Sequence, residues 1–189
     1  IYAALTAGRM PGDEAIEKVA RATLTMAPAP HVSRTGLLLE GLARVTVEGY
    51  EAGVPLLREA LDALRDAELT KDEGLGWLPL ACRMAHDAWE FDTWSVLSAR
   101  LVELARDTGA LSVLPSALLL RLSNRVFAGD LTEAASLAAE ATTIGEATGS
   151  GFFAHYGALV LEPWRGAETE TRQVIDVVTT NANGQQISI

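Results

Sequence analysis

Cysteine is almost absent from this chain. Of 189 residues only Cys82 carries a thiol, which excludes an intramolecular disulfide framework and a zinc site built on cysteine. A lone thiol fits a reducing compartment, and the cytoplasm is the expected location. Basic residues are also scarce: 15 Lys and Arg stand against 25 Asp and Glu, a net charge of −10. Duplex binding needs a cationic face to displace counterions, so no direct nucleic-acid contact is expected of these residues. An anionic membrane surface is an equally poor match. No apolar run approaches 18 residues, and the richest, Ala110 to Leu122, is broken by Ser112, Pro115, Ser116 and Arg121. A membrane span is therefore not expected. Ile1 to Leu5 holds no basic residue and no long apolar stretch follows, so there is no secretory signal pattern. The chain opens without Met, in what reads as mid-helix, and is expected to be part of a longer protein.

Catalytic signatures are missing too. There is no G-x-x-x-x-G-K-[ST] to cradle phosphates, and Gly74 and Gly76 do not continue into G-x-G-x-x-G. No G-x-S-x-G elbow occurs. The three histidines, His31, His86 and His155, are scattered, and a zinc site needs three or four ligands. His86 and Glu90 have a spacing of four, which on one helix reads as a solvated pair rather than two metal ligands. The carboxylate pairs Glu90/Asp92 and Glu168/Glu170 fall at hairpin turns or helix starts, where acidic groups complement the helix dipole. No enzyme activity, cofactor or metal is expected.

What the chain has in abundance is alanine and leucine, 31 and 27 residues, within a hydrophobic share of 49%. Two strong helix formers at that level point to an all-α protein with a substantial core. Leu37, Leu38, Leu42 and Val45 fall on one helical face of Arg34 to Val47. Gly49 interrupts, and a second helix runs from Tyr50 through Leu57, Leu61 and Leu64 to about Ala67. Two such helices joined by a tight turn make a helical hairpin.

The hairpin recurs. Leu57, Leu61 and Leu64 shifted by forty become Leu97, Leu101 and Leu104, then Leu137, Ala141 and Ile144. Thr108-Gly109 returns as Thr148-Gly149, each placed to end a helix with a left-handed glycine. Phe127-Ala-Gly-Asp130 resembles Trp164-Arg-Gly-Ala167 at the hairpin turns. Leu78-Pro79 and Leu114-Pro115 are expected near helix starts, where proline is tolerated. These rows predict a tetratricopeptide-like α-solenoid over 1–189, a single repeat domain of about five helix pairs. Ala27-Pro-Ala-Pro30 reads as a connector, Glu68 to Gly74 as a charged loop, and Asn181 to Gln186 as a turn or frayed tail. Val174 to Val178 is β-branched, but the repeat demands a helix there. That helix offers more apolar surface than one neighbour needs, so homodimerisation or fraying is expected at this end.

Trp77, Trp89 and Trp94 gather in one repeat beside Tyr50 and Phe91. Core packing is the first reading, because aromatics carry large burial area. A stacking platform for a ligand or partner is the second, and its candidate residues are Trp77, Arg83, His86 and Trp94. Cys82, beside Leu80 and Ala81, reads as a small buried hydrophobe.

Leu104-Ala-Arg-Asp-Thr-Gly-Ala-Leu-Ser-Val-Leu-Pro115 and Glu48-Gly-Tyr-Glu-Ala-Gly-Val-Pro-Leu-Leu-Arg-Glu-Ala60 resemble stretches of the large ATP-binding bacterial regulators of the LuxR type, the relatives of the maltose regulator MalT. Ala147-Thr-Gly149, Tyr156-Gly-Ala-Leu159 and Trp164-Arg-Gly166 follow in the same order, so the resemblance covers about Arg34 to Val178. It implies the helical middle region of such a regulator, between an ATPase module and a helix-turn-helix. That region would sense a small-molecule effector or a protein partner. No ligand motif of the family can be carried onto a residue here. The repeat also departs from the strict form: its period exceeds 34, and Trp94 aligns with the smaller Val54 and Ala134. A free-standing protein- or peptide-binding scaffold is the alternative, and an all-α enzyme using Trp77, His86 and Glu90 is a third reading.

Overall fold

The computed structural model describes residues 13–25, 33–148 and 152–186. Among them the chain is all helix, with no strand: α1 (Asp13–Thr25), α2 (Arg34–Glu48), α3 (Tyr50–Arg65), α4 (Lys71–Asp87), α5 (Phe91–Asp107), α6 (Leu114–Phe127), α7 (Leu131–Thr148), α8 (Phe152–Arg165) and α9 (Glu168–Gln186). From α2 onward, α2 with α3, α6 with α7 and α8 with α9 pack as helix pairs. Residues that would complete a pair with α1 lie outside the described residues, as does the Ala27–Pro30 connector. The chain forms two compact units, 1–97 and 98–189.

In the first unit α2 packs on α1 and α3, and α4 packs on both members of the α2–α3 hairpin. Ser33 starts α2 by accepting from the Gly36 amide at 3.0 Å, which satisfies one of the free N–H groups of the first turn. Leu38 and Leu42 are buried, while Leu37 and Val45 flank them half-buried. In α3 the buried residues Gly53, Val54, Leu57, Ala60, Leu61 and Leu64 recur every three or four positions and face the core. Two glycines let these helices approach closely. A methyl at Gly53 would stand 2.5 Å from the Gly41 carbonyl oxygen, and one at Gly41 would stand 3.0 Å from the Leu57 amide nitrogen.

In the second unit α7 packs between α6 and α8, α8 also reaches α6, and α9 packs on α8. Pro115 sits in the first turn of α6, where its missing N–H costs nothing. Leu118, Leu122 and Val126 are wholly buried. On α7 the buried row is Ala134, Leu137, Ala141 and Gly145. The forty-residue rows hold with one adjustment. Leu57, Leu97 and Leu137, then Leu61, Leu101 and Ala141, are all buried. In the third row Leu64 is buried, whereas Leu104 and Ile144 are half-buried and the next residues, Ala105 and Gly145, turn inward instead.

Three expectations need correction. Glu68 to Gly74 is not all loop, because α4 begins at Lys71. Thr70 and Glu73 form a reciprocal capping box: the Thr70 amide donates to Glu73 Oε2 at 3.0 Å, and the Glu73 amide donates to Thr70 Oγ1 at 3.3 Å. Pro79 therefore lies inside α4 rather than near its start. The helix runs through it with one ladder hydrogen bond fewer. Residues 181–186 continue α9 as helix instead of forming a turn. The β-branched run 174–178 is helical, as the repeat requires.

Candidate functional site

Helix endings recur in one form. After α5, α6 and α8 the chain turns through a glycine with positive φ: Gly109 at 64°, Gly129 at 78° and Gly166 at 71°. Each time the next amide reaches back five residues: Ala110 to Ala105 O, Asp130 to Arg125 O, and Ala167 to Glu162 O. This left-handed closure satisfies carbonyls that the last turn leaves open. The Thr108-Gly109 terminator thus forms as read, while Gly149 lies outside the described residues.

After α4 the same closure is made without glycine. Trp89 takes φ 58°, its amide donates to His86 O at 3.1 Å, and the Glu90 amide donates to Ala85 O at 2.9 Å. A side chain in this region brings Cβ against the neighbouring carbonyl and costs about 1–2 kcal/mol. The indole gains little burial in return, since Trp89 is 76% exposed. No other described non-glycine residue has positive φ.

Around this turn lie further aromatics. Tyr50, 49% exposed, donates its hydroxyl to the Asp87 carbonyl at 3.4 Å. Phe91, 40% exposed, meets Trp94 edge-on at 6.3 Å. Trp94 itself is core. Its ring meets that of His86 at 4.8 Å in a T-shaped contact, and His86 Nδ1 lies 2.9 Å from Asp87 Oδ1. Arg83 Nε donates to both oxygens of Asp87, at 3.1 and 3.2 Å. Arg58 reaches across from α3 to Glu90 at 2.5 Å.

Of the four residues singled out from the sequence, three converge: Arg83, His86 and Trp94 join one chain of contacts in which Asp87 bridges Arg83 and His86. Trp77 stays apart. It is half-buried on α4, nine residues before His86, which on a helix of 3.6 residues per turn means the opposite side and about 13 Å along the axis. The expected His86–Glu90 helix-face pair does not form either. Helix α4 ends at Asp87, so Glu90 stands past the turn and pairs with Arg58. Trp89, Tyr50 and Phe91, which the sequence gathered into the same aromatic group but not among its candidate residues, are the exposed members of that group. The available signal was positional, since Trp89 stands forty residues before the turn glycine Gly129.

Elsewhere the chemistry is quiet. Cys82 is wholly buried, and burial pushes its thiol well above the ordinary range. Phe127 and Trp164, both partly exposed, contact each other at 5.6 Å across two hairpin turns. An open pocket of about 430 Å³ lies where α8 gives way to α9, lined by Pro163, Gly166, Glu168, Thr171, Arg172 and Ile175. Its two charged groups pair with each other at 2.8 Å. Ile175 and Val177 on α9 are exposed, and Val174 and Val178 are half-buried. His155 is half-buried on α8, and His31 lies outside the described residues. Among the described residues no group of three or more His, Cys, Asp or Glu is placed to hold a metal ion, and no helix is long and apolar enough to cross a membrane. Comparison with protein-family models, with curated proteins and with solved structures gives no match to this chain.

Proposed function

We propose that this chain is a non-catalytic helical-repeat region that binds a protein partner or small-molecule effector and belongs to a transcriptional regulator of the LuxR type. The observation that supports a binding role is the helical pairs themselves, with the large aromatics Trp89, Phe127 and Trp164 set at helix endings and left partly exposed. Repeat arrays use such surfaces for recognition, because each hairpin packs only on its neighbours and leaves the remaining faces available. The regulator assignment is supported by the ordered resemblance from Arg34 to Val178. The mechanism proposed is a shift of conformational equilibrium. A partner that prefers one arrangement of the hairpins biases the array, and the bias passes to ATPase and DNA-binding modules outside these residues.

Two measurements test this. The purified chain should turn over no ATP and should retain no duplex DNA in a sequence-dependent way at low salt, where electrostatic association is strongest. Submicromolar sequence-dependent retention, or turnover abolished by His86→Ala, would overturn the non-catalytic reading. Reading the coding sequence on either side tests the regulator assignment. A P-loop upstream and a helix-turn-helix downstream support it; stop codons on both sides leave a free-standing scaffold.

A further inference from the structure

Helix α8 shows how this fold covers a helix pair. It packs on both α6 and α7. A methyl at Gly157 would stand 3.3 Å from Leu119 and 3.5 Å from Leu122, both on α6, and 3.5 Å from Ala138 on α7. Near the helix ends the ring of Trp164 meets that of Phe127 at 5.6 Å. Helices α6 and α8 therefore run parallel, with their C-terminal ends together.

The α8–α9 pair repeats the frame of α6–α7 at an offset of 37 residues. Gly129 becomes Gly166, and Leu131, which opens α7, becomes Glu168, which opens α9. Pro163, Thr171 and Ile175 then stand where α6 and α7 have Val126, Ala134 and Ala138. Val126 and Ala134 are wholly buried, and Ala138 faces Gly157 of α8. Pro163 and Ile175 are instead exposed, and with Gly166 and Thr171 they line the open pocket of about 430 Å³. No described side chain of α9 is buried, whereas α7 buries four residues. The pocket is thus the counterpart of the surface on which α8 sits.

The same comparison says what fits it. An α-helix covers this frame one step earlier, so an α-helix suits it here. Ile175 is larger than Ala138, so the helix must be small opposite it, as α8 is at Gly157. Running parallel to α8, that helix brings its last turn beside Gly166 and the start of α9, where Glu168 and Glu170 are exposed. From Glu162 to Asp176 the chain carries four acidic and two basic residues. Basic side chains in the last turn complement both these carboxylates and the dipole of the incoming helix.

We propose that the α8–α9 face docks one amphipathic helix of a protein partner, with a small residue at its centre, aliphatic neighbours, and lysine or arginine in its last turn. This rests on the partner-binding reading above and gives it a surface and a chemistry.

The test uses the full chain and a fluorescein-labelled, capped peptide with the sequence of residues 152–165, extended by Lys-Lys and held helical by a staple on its outward face. Anisotropy at low ionic strength should show saturable binding. Gly157→Leu in the peptide, or Glu-Glu in place of Lys-Lys, should weaken binding about tenfold or more. In the chain, Ile175→Glu should lose about tenfold or more. Val177→Glu, two residues on and so on the opposite side of α9, should stay within about threefold. Both positions are exposed, and circular dichroism should show both variants as helical as the wild type. Adding the peptide to the wild type should slow hydrogen exchange in α9 and leave α6 and α7 unchanged. Absent saturation, tolerance of either altered peptide, or equal effects of the two chain variants would each overturn the proposal. So would faster exchange in α6 and α7, which means that the peptide displaces α8. Self-association of the chain alone that Ile175→Glu abolishes would assign the face to a second copy and overturn it as well. None of these results bears on ATP turnover, DNA retention or the flanking coding sequence, so failure here is distinguishable from failure of the reading it rests on.

Discussion

Alanine in place of glycine should act with opposite sign at two helical positions of this chain. Gly76 lies exposed in the interior of α4, and a methyl there would meet nothing within 4 Å. Glycine inside a helix is worse than alanine by about 1 kcal/mol, so Gly76→Ala should stabilise by roughly that amount. Gly53 lies in the interior of α3 and has the same propensity to gain. Its methyl, however, would stand 2.5 Å from both the Gly41 carbonyl oxygen and the Val45 amide nitrogen, and would also meet the Val45 side chain. Two of these are backbone atoms of α2 and cannot swing aside as a flexible side chain would. Relief requires α2 and α3 to separate by about 1 Å, loosening Leu38, Leu42, Leu57 and Leu61 together. Overpacking of this kind costs about 1–3 kcal/mol and more where backbone must move, so about 3 is reasonable here. Less the propensity gain, Gly53→Ala should lose about 2 kcal/mol, and the two variants should differ by about 3. Urea denaturation followed by circular dichroism at 222 nm reads both. At this chain length each kcal/mol moves the melting temperature by about 2–4 °C, so the pair should be separated by about 6–12 °C. If Gly53→Ala is as stable as the wild type, α2 and α3 do not approach this closely and the reasoning fails.

Gly129→Ala should cost about 1 kcal/mol, because φ 78° places a Cβ against the neighbouring carbonyl although space around it is open; a neutral result in urea denaturation would contradict the left-handed closure. Cys82, wholly buried and with its thiol pushed up, should react with an aromatic disulfide reagent orders of magnitude more slowly in the native protein than in urea. Rapid native labelling at 412 nm would place it at the surface. Glu73 is held below the ordinary carboxylate value of 4.5 by the Thr70 amide first and the Thr70 hydroxyl second. A depressed native value contributes stability that is present above 4.5 and lost as pH falls through the native value. Denaturation midpoints measured from pH 6 down to about pH 3 should therefore fall more steeply in the wild type than in Glu73→Gln, and parallel curves would refute the capping role.

The helices were legible because their apolar rows recur at one period, and Leu57, Leu97 and Leu137 are all buried. What escaped was local. The start of α4 was written in Thr70-Lys-Asp-Glu73, a threonine three residues before a glutamate, but the charges of that stretch read more loudly as loop. Pro79 points to a helix start because proline belongs there, yet it lies buried inside α4 and the helix runs through it. The candidate site was half legible. His86, Arg83 and Trp94 are neighbours because they crowd the end of α4 and the start of α5, whereas Trp77 is separated by the helical phase of nine residues, which is arithmetic available in advance. Trp89 was visible as a residue and invisible as a conformation, since nothing in a tryptophan announces a left-handed backbone.

One register pair shows why a strict consensus cannot find this repeat. In the first hairpin it is Gly41 facing Gly53, close enough that neither tolerates a methyl. Forty residues on, the equivalent positions are Ala81 and Thr93, both buried. Another forty on they are Arg121 and Glu133, which meet at 3.4 Å with Glu133 also 3.7 Å from Arg125. The equivalent positions thus hold two glycines, two small buried side chains, or an ion pair whose arginine is only 16% exposed. Each solution is self-consistent, and the three cannot be exchanged one residue at a time. Threonine at 53 would drive atoms into the α2 backbone, and glycine at 93 would open a void among buried neighbours. Alanine at 133 would remove the carboxylate from a mostly buried guanidinium. In the first hairpin the glycine pair sets how closely α2 and α3 approach. A repeat built this way conserves spacing while its interior contacts change chemistry, so sequence likeness decays faster than architecture.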